Sequence, residues 1–289
     1  MPSDPGPTVR RRQLGAVLRR YREDAGMTVS DVAGHLLCSA TKISRIETAQ
    51  RNPTLRDVRD LCDLYRISDA VVRQQLMTMA QESRQRAWWQ AAGLEPALET
   101  LIGLEGSATT IREFETSAFP GLIQTRPYAD AMLANWHPAG SPQRERAVEL
   151  RMRRQEILTG DQSPRLEIIL DEAALRRLVG GPDVMREQLR HAIELSERAA
   201  ITLRVVPFSA GAHQGMNSGF ILLDFSNPVE SPILEFLPPV VYVEGLAGEL
   251  YLDQIGDVER YARAFENLTA QALPTSETVK LIRKIVHEL

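Results

Sequence analysis

Cysteine is scarce in this 289-residue chain, which has two, Cys38 and Cys62. Two cysteines make neither a disulfide framework nor a metal-ligand pattern, and Cys62, on the apolar side of a helical stretch, reads as a small core residue. No apolar run approaches the ~20 residues of a membrane-spanning helix. The N-terminus is polar and proline-rich rather than built like a secretory leader, so a cytoplasmic protein with no membrane association is expected. The five histidines stand apart at 35, 137, 191, 213 and 287. H-x-x-x-H pairs, nucleophile elbows and Walker loops are missing. No reaction class can be assigned on these residues, and the expectation is a non-enzyme without catalytic residues, metal or cofactor.

Charge is unevenly divided. Residues 1–90 hold 15 Lys/Arg against 10 Asp/Glu, a net of +5, and the remainder carries a net of −9. A chain of this length makes about two domains. A basic head on an acidic body fits a DNA-binding module joined to a non-binding one.

The stretch Val29 to Thr48, VSDVAGHLLCSATKISRIET, reads as a helix-turn-helix. Val32, Ala33 and Leu36 recur at helical spacing and give the first helix an inner face. Thr28 is placed to cap it, with Asp31 three positions on. Ser39 caps the second helix, whose inner face is Ile43 and Ile46. Leu37 stands where such turns often carry glycine, and a left-handed leucine costs roughly 1–2 kcal/mol. A helix from Arg10 to Ala25 precedes the motif, ended by Gly26. After it, Thr54 caps a helix burying Val58, Leu61, Cys62 and Tyr65, and Ser68 caps one running through Val72, Leu76 and Met79. Five short helices in about 80 residues form a compact bundle.

A second helix of this kind enters a DNA major groove. Thr41, Ser44 and Arg45 are the candidates for base edges, with Ala40 available for a thymine methyl. Thr28, Val29 through its backbone N–H, Lys42 and Arg51 are the candidates for phosphates, which set register without reading sequence. Glu47 is assigned a structural role, holding the loop after the helix. One module makes a small contact, so a homodimer on an inverted repeat of double-stranded operator DNA is expected.

Residues 10–80 resemble the phage-repressor-like (Cro/C1, or XRE) helix-turn-helix family, through SATKISRIETAQRNPT in particular. The remainder resembles the C-terminal domain of unknown function that follows this module in many actinobacterial, antitoxin-like transcriptional regulators. RAWWQ, IGLEGSATTIREFE, FPGLIQT, ELRMRRQ, LDEAALRRLVGGPDVMREQL, VVPFSAGAH and VYVEGLAGELYL carry that likeness. The resemblance implies a transcription regulator, in some members encoded beside a small partner protein, and it assigns no activity to the second domain.

The organisation expected is a disordered tail over 1–9, the helix-turn-helix domain over 10–80, a helical connector over 81–105 and a regulatory, partner-binding domain over 106–289. The whole is α+β, the second domain being mixed α/β with a sheet of about four or five strands. Strands are expected over 108–115, in RLEIILDE, ITLRVVPF, GFILLDF and VVYVEG, with helices near 127–135 and 142–158, after Asp171, after Pro182, and over 256–271 and 275–288. Glu145, Glu149 and Glu156 interleave the arginines of 142–158, which reads as a solvated, salt-bridged face. Asp171 and Glu172 read as a cap rather than an acid/base couple.

Four residues stand out as possible ligand or partner contacts. Trp88 and Trp89 either anchor the connector or stack on a ligand. His213, in the loop AGAHQGMNSG, is either solvent-facing or part of a polar cluster with Gln214, Asn217 and Ser218 that takes a small ligand. Glu244, before Gly245, is either a buried polar anchor or part of a binding face. The leading reading is a DNA-binding regulator whose second domain binds an adjacently encoded small protein. The alternatives are a one-component regulator sensing a small molecule and, remotely, an enzyme with a DNA-targeting head.

Overall fold

The computed structural model describes residues 7–84, 96–160, 163–225, 238–246 and 248–289. Trp88 and Trp89 lie outside the described residues. The chain divides into two compact units, residues 1–107 with 225–238 and residues 108–224 with 239–289.

The first unit is helical: α1 (Pro7–Asp24), α2 (Val29–His35), α3 (Ala40–Glu47), α4 (Leu55–Leu64), α5 (Ala70–Glu82) and α6 (Pro96–Glu105). Its core is the apolar set the spacing picks out, with Leu14, Leu18, Val32, Ile43, Ile46, Val58, Leu61, Cys62 and Leu76 buried together. The starts of α2, α3, α4 and α5 are each fixed by a polar side chain that takes an otherwise unpaired first-turn N–H. Thr28 and Asp31 make a capping box on α2, Ser39 accepts from Lys42 N–H on α3, and Thr54 with Asp57 boxes α4. The cap of α5 is Asp69 rather than Ser68, its carboxylate accepting the N–H groups of Val71 and Val72 at 2.8 and 3.3 Å. A charged acceptor suits the positive helix end better than a hydroxyl one residue away. Gly26 ends α1 at φ +66°, with Met27 N–H donating to Arg22 O at 3.1 Å.

Leu37 adopts the glycine conformation of the turn at φ +50°, and its side chain is 94% exposed, so nothing is gained from packing it. Leu37→Gly relieves a strain of about 1–2 kcal/mol and adds about 0.5–1 kcal/mol of backbone entropy cost. The net expectation is a stabilisation of about 0.5–1 kcal/mol, read from slower amide exchange in α2 and α3.

The second unit carries a six-stranded sheet in the order β3-β2-β1-β4-β5-β6. The strands are β1 (Thr110–Glu115), β2 (Arg165–Asp171), β3 (Ile201–Val206), β4 (Phe220–Asp224), β5 (Val240–Gly245) and β6 (Gly248–Leu252). β1, β2 and β3 run parallel, and β4, β5 and β6 continue antiparallel from β1. The sixth strand corrects the expected four or five. GELYL is short and mostly exposed at the sheet edge, so it has no buried alternation to betray it.

The helices of this unit are α7 (Arg126–Leu133), α8 (Pro142–Arg154), α9 (Glu172–Arg176), α10 (Pro182–Ser196), α11 (Ile255–Gln271) and α12 (Thr275–Glu288). Phe265 and Leu268 of α11 pack on Phe114, Ile169, Phe220, Leu222 and Val241, which the register places on one face of the sheet. Glu145, Arg146, Glu149, Arg153 and Glu156 of the expected solvated face are exposed, but three of the five α8 arginines turn inward and correct the rest. Arg144 pairs with Asp130 of α7, Arg151 donates to Gln124 Oε1 at 2.9 Å, and Arg154 is buried. The partners of Arg144 and Arg151 are on other elements, where helical spacing cannot reveal them. Buried Gln188 on α10 joins this polar network, donating to Ile123 O at 2.8 Å and accepting from Thr125 N–H at 2.7 Å.

Candidate nucleic-acid interface and polar sites of the second domain

α3 is two-faced. Ile43 and Ile46 are turned into the core, and Ala40, Thr41, Ser44 and Arg45 are exposed together. Among the described residues the side chains of Arg45 and Arg51 make no hydrogen bond or ion pair. Their backbones are joined, Arg51 N–H donating to Arg45 O at 2.9 Å, which folds the post-helix loop back so that Arg51 sits beside α3.

The other expected DNA residues are more committed. The Thr28 hydroxyl donates to Asp31 Oδ2 at 2.7 Å and accepts from Asp31 N–H, so the capping box occupies it. Hydrogen bonds from the Thr28 hydroxyl and then the Thr28 backbone N–H hold the Asp31 carboxyl below its usual value. Val29 is half-buried against the helical core, with its N–H in the first turn of α2. Lys42 is ion-paired to Asp57 of α4. Burial alone raises the Asp57 carboxyl, but hydrogen bonds from Lys42 and Thr54 outweigh it and hold it below the carboxylate range.

Two features that hold α3 in place escaped the sequence reading. Glu47 grips Arg22 of α1 with both oxygens, at 2.7 and 2.9 Å, and both side chains are at least nine-tenths buried. Arg22 also donates to Met27 O at 2.8 Å. Glu47 is therefore structural as expected, but its partner is helix α1 rather than the following loop. Gly15 of α1 is the point of closest approach, where a Cβ would stand 2.6 Å from Glu47 O and 2.7 Å from Ile46 O.

In the second domain the parallel register brings polar residues to the carboxyl ends of the strands. Asp171, at the end of β2, caps α9 through Oδ1, which accepts from Ala173 N–H at 2.7 Å. Its Oδ2 meets His213 Nε2 at 2.9 Å. The imidazole is 4% exposed and stands edge-on to Phe114 at 5.7 Å. The solvent-facing alternative for His213 is thus corrected: the loop packs inward because a carboxylate and an aromatic ring at the strand ends receive it. His213 Nδ1 is buried without a hydrogen-bond partner beside a cavity of about 290 Å³ lined by Thr116, Asp171, Phe208 and Met216 among others. Glu172 faces elsewhere, accepting from Phe208 N–H at 2.8 Å and from Arg176 at 2.7 Å.

Glu244 is exposed near the tip of the β5–β6 hairpin, opposite Glu249 in register, so the buried-anchor alternative falls. Burial and then the Glu244 carboxylate push Glu115, at the end of β1, up to about 7, against the pull of Arg151. A carboxyl raised in the fold binds a proton that the unfolded chain has released, so its contribution to stability falls as pH rises from about 4.5 to about 7 and is flat above. Glu115→Gln removes this dependence. The variant is expected to match the parent near pH 4 and to unfold at higher urea at pH 8.

Among the described residues no three His, Cys, Asp or Glu are grouped to hold a metal. No helix among them is long and apolar enough to cross a membrane.

A five-helix bundle presenting an exposed polar second motif helix, joined to a mixed α/β unit, defines a two-domain helix-turn-helix protein. Residues 13–75 match the family described as "Helix-turn-helix domain". Residues 98–284 match "Domain of unknown function (DUF5753)", and the chain belongs to that family. No curated protein and no solved structure matches it.

Proposed function

We propose that this chain is a sequence-specific transcription regulator that binds operator DNA as a homodimer on an inverted repeat, with residues 10–80 as the reading module and 106–289 as the regulatory domain. The observation that carries the reading is the α3 surface, where Arg45 and Arg51 stand exposed and unpaired among the described residues beside Thr41 and Ser44. Arg45 reads a base edge, and Arg51 holds a phosphate. Lys42 contributes less than its position in the motif implies, because Asp57 already neutralises it.

Salt dependence tests this division of labour. Arg51→Ala is expected to lower the slope of log affinity against log salt by about 1, on operator and random DNA alike. Lys42→Ala is expected to change it by about half as much or less. The reverse order in fluorescence anisotropy would reassign the phosphate contacts.

Two readings of the second domain remain, each with its own support. Binding of an adjacently encoded small protein is favoured by the edge strand β6 and the turn before it, where Leu250 and Leu246 are 58% and 99% exposed. Co-expression with the neighbouring small protein should give a complex that Leu250→Lys weakens. Sensing of a small molecule is favoured by the concave sites along the 208–218 loop, which have polar walls on an apolar floor.

A further inference from the structure

We infer that a small planar heteroaromatic anion binds in the cavity of about 470 Å³ between the 214–218 loop and α11. The inference rests on the effector-sensing reading of the second domain and supplies its ligand class. The volume lies within the roughly 300–1,000 Å³ of small-molecule sites.

The floor is aromatic. Phe220 and Tyr261 meet edge to face with ring centroids 5.0 Å apart, a surface on which a flat ring packs. On the wall, Asn267 Nδ2 donates to Gln214 Oε1 at 3.2 Å. That bond uses the Asn267 NH₂ and the Gln214 oxygen, and leaves the Gln214 NH₂ as a donor and the Asn267 carbonyl as an acceptor on the same wall. A donor and an acceptor on one wall are the complement of a heterocycle edge that alternates acceptor and donor, as a nucleobase does.

The anion site is on α11. Arg260 and Arg263 both line the cavity. Their partners are carboxylates on their own helix, half-buried Asp257 at 3.2 Å and exposed Glu259 at 3.9 Å, and both arginines are themselves exposed. Exposed pairs of this kind are weak, and a phosphate or carboxylate in the cavity offers the guanidiniums stronger, charge-assisted bonds. The loop backbone that carries Gln214 is fixed, because the residues on either side of it are locked. His213 is held by Asp171, and Gly215 lies so close to Phe114 that a Cβ there would be 2.1 Å from the ring. A fixed backbone spares the ligand the cost of ordering the loop.

Calorimetric titration of the DNA-free full chain tests the site. The probes are the four ribonucleoside monophosphates and nicotinate, each to about 5 mM. At least one is expected to bind. The double variant Arg260→Ala/Arg263→Ala, altered at exposed positions and checked for fold by circular dichroism, should weaken it about tenfold or more. Tyr261→Phe should keep the binding, and Tyr261→Ala should lose it. Silence from all five probes, or affinity indifferent to the arginine pair, overturns the site. Operator titration with the bound probe separates the two claims. A changed operator affinity supports site and sensing together, and an unchanged one overturns the sensing reading while the calorimetry still supports the site.

Discussion

Glu47→Ala is expected to destabilise the helical domain by about 3–5 kcal/mol, the range for removing one partner of a buried ion pair. The two side chains are 10% and 6% exposed, and Glu47 accepts from Arg22 through both carboxylate oxygens. Alanine at 47 leaves the buried guanidinium with Met27 O and a long, 3.5 Å contact to the half-exposed Glu23 carboxylate, which compensates it only weakly. The bond also ties the last residue of α3 to α1, so its loss frees the end of the motif helix. Amide exchange in α1 and α3 reads the effect locally, without assuming that both domains unfold together. The pair Arg22→Met/Glu47→Leu removes both charges and should recover most of the loss. A loss below about 1 kcal/mol for Glu47→Ala would place the bridge among ordinary surface pairs.

Gly15→Ala is the second large effect, and two opposing terms decide its sign. Alanine in a helix interior is favoured over glycine by about 1 kcal/mol. Against that, the new methyl would meet two backbone oxygens of α3 at 2.6 and 2.7 Å. Backbone at the end of a packed helix does not swing aside as a side chain does, so α1 and α3 must separate. Overpacking of this kind costs about 1–3 kcal/mol, and contact with two backbone oxygens puts it at the upper end, so the net expectation is a loss of up to about 2 kcal/mol. Because α3 moves with it, operator affinity should fall more than random-DNA affinity. A more stable protein would show that the two helices slide apart freely.

The helical domain was legible in the sequence because its determinants are local. Thr28, Ser39 and Thr54 cap helices within three residues of themselves, and Ile43 with Ile46 marks the buried face of α3 without reference to any other element. The strained turn at Leu37 was legible for the same reason. What escaped was tertiary. Arg22 and Glu47 are 25 residues apart, and Gly15 shows its purpose only when α3 lies against it. In the second domain, runs of branched residues revealed five strands, but exposed β6 has none to reveal it. His213 reads as a loop residue until the parallel register brings the end of β2 beside it and supplies Asp171. The Arg-rich α8 misled in the same way, its partners being on α7 and in the 119–125 turn.

Arg45 is the side chain through which α3 is proposed to read bases, and its role separates two duplexes in a single experiment. Fluorescence anisotropy of the full chain and of Arg45→Ala would be measured on the upstream DNA of its own gene and on random duplex, at one fixed salt concentration. If Arg45 reads a base, operator affinity falls by about 1–3 kcal/mol while random-duplex affinity is nearly unchanged, because a base contact discriminates and a phosphate contact does not. Equal losses on the two duplexes would contradict that role and return Arg45 to the phosphate-binding set.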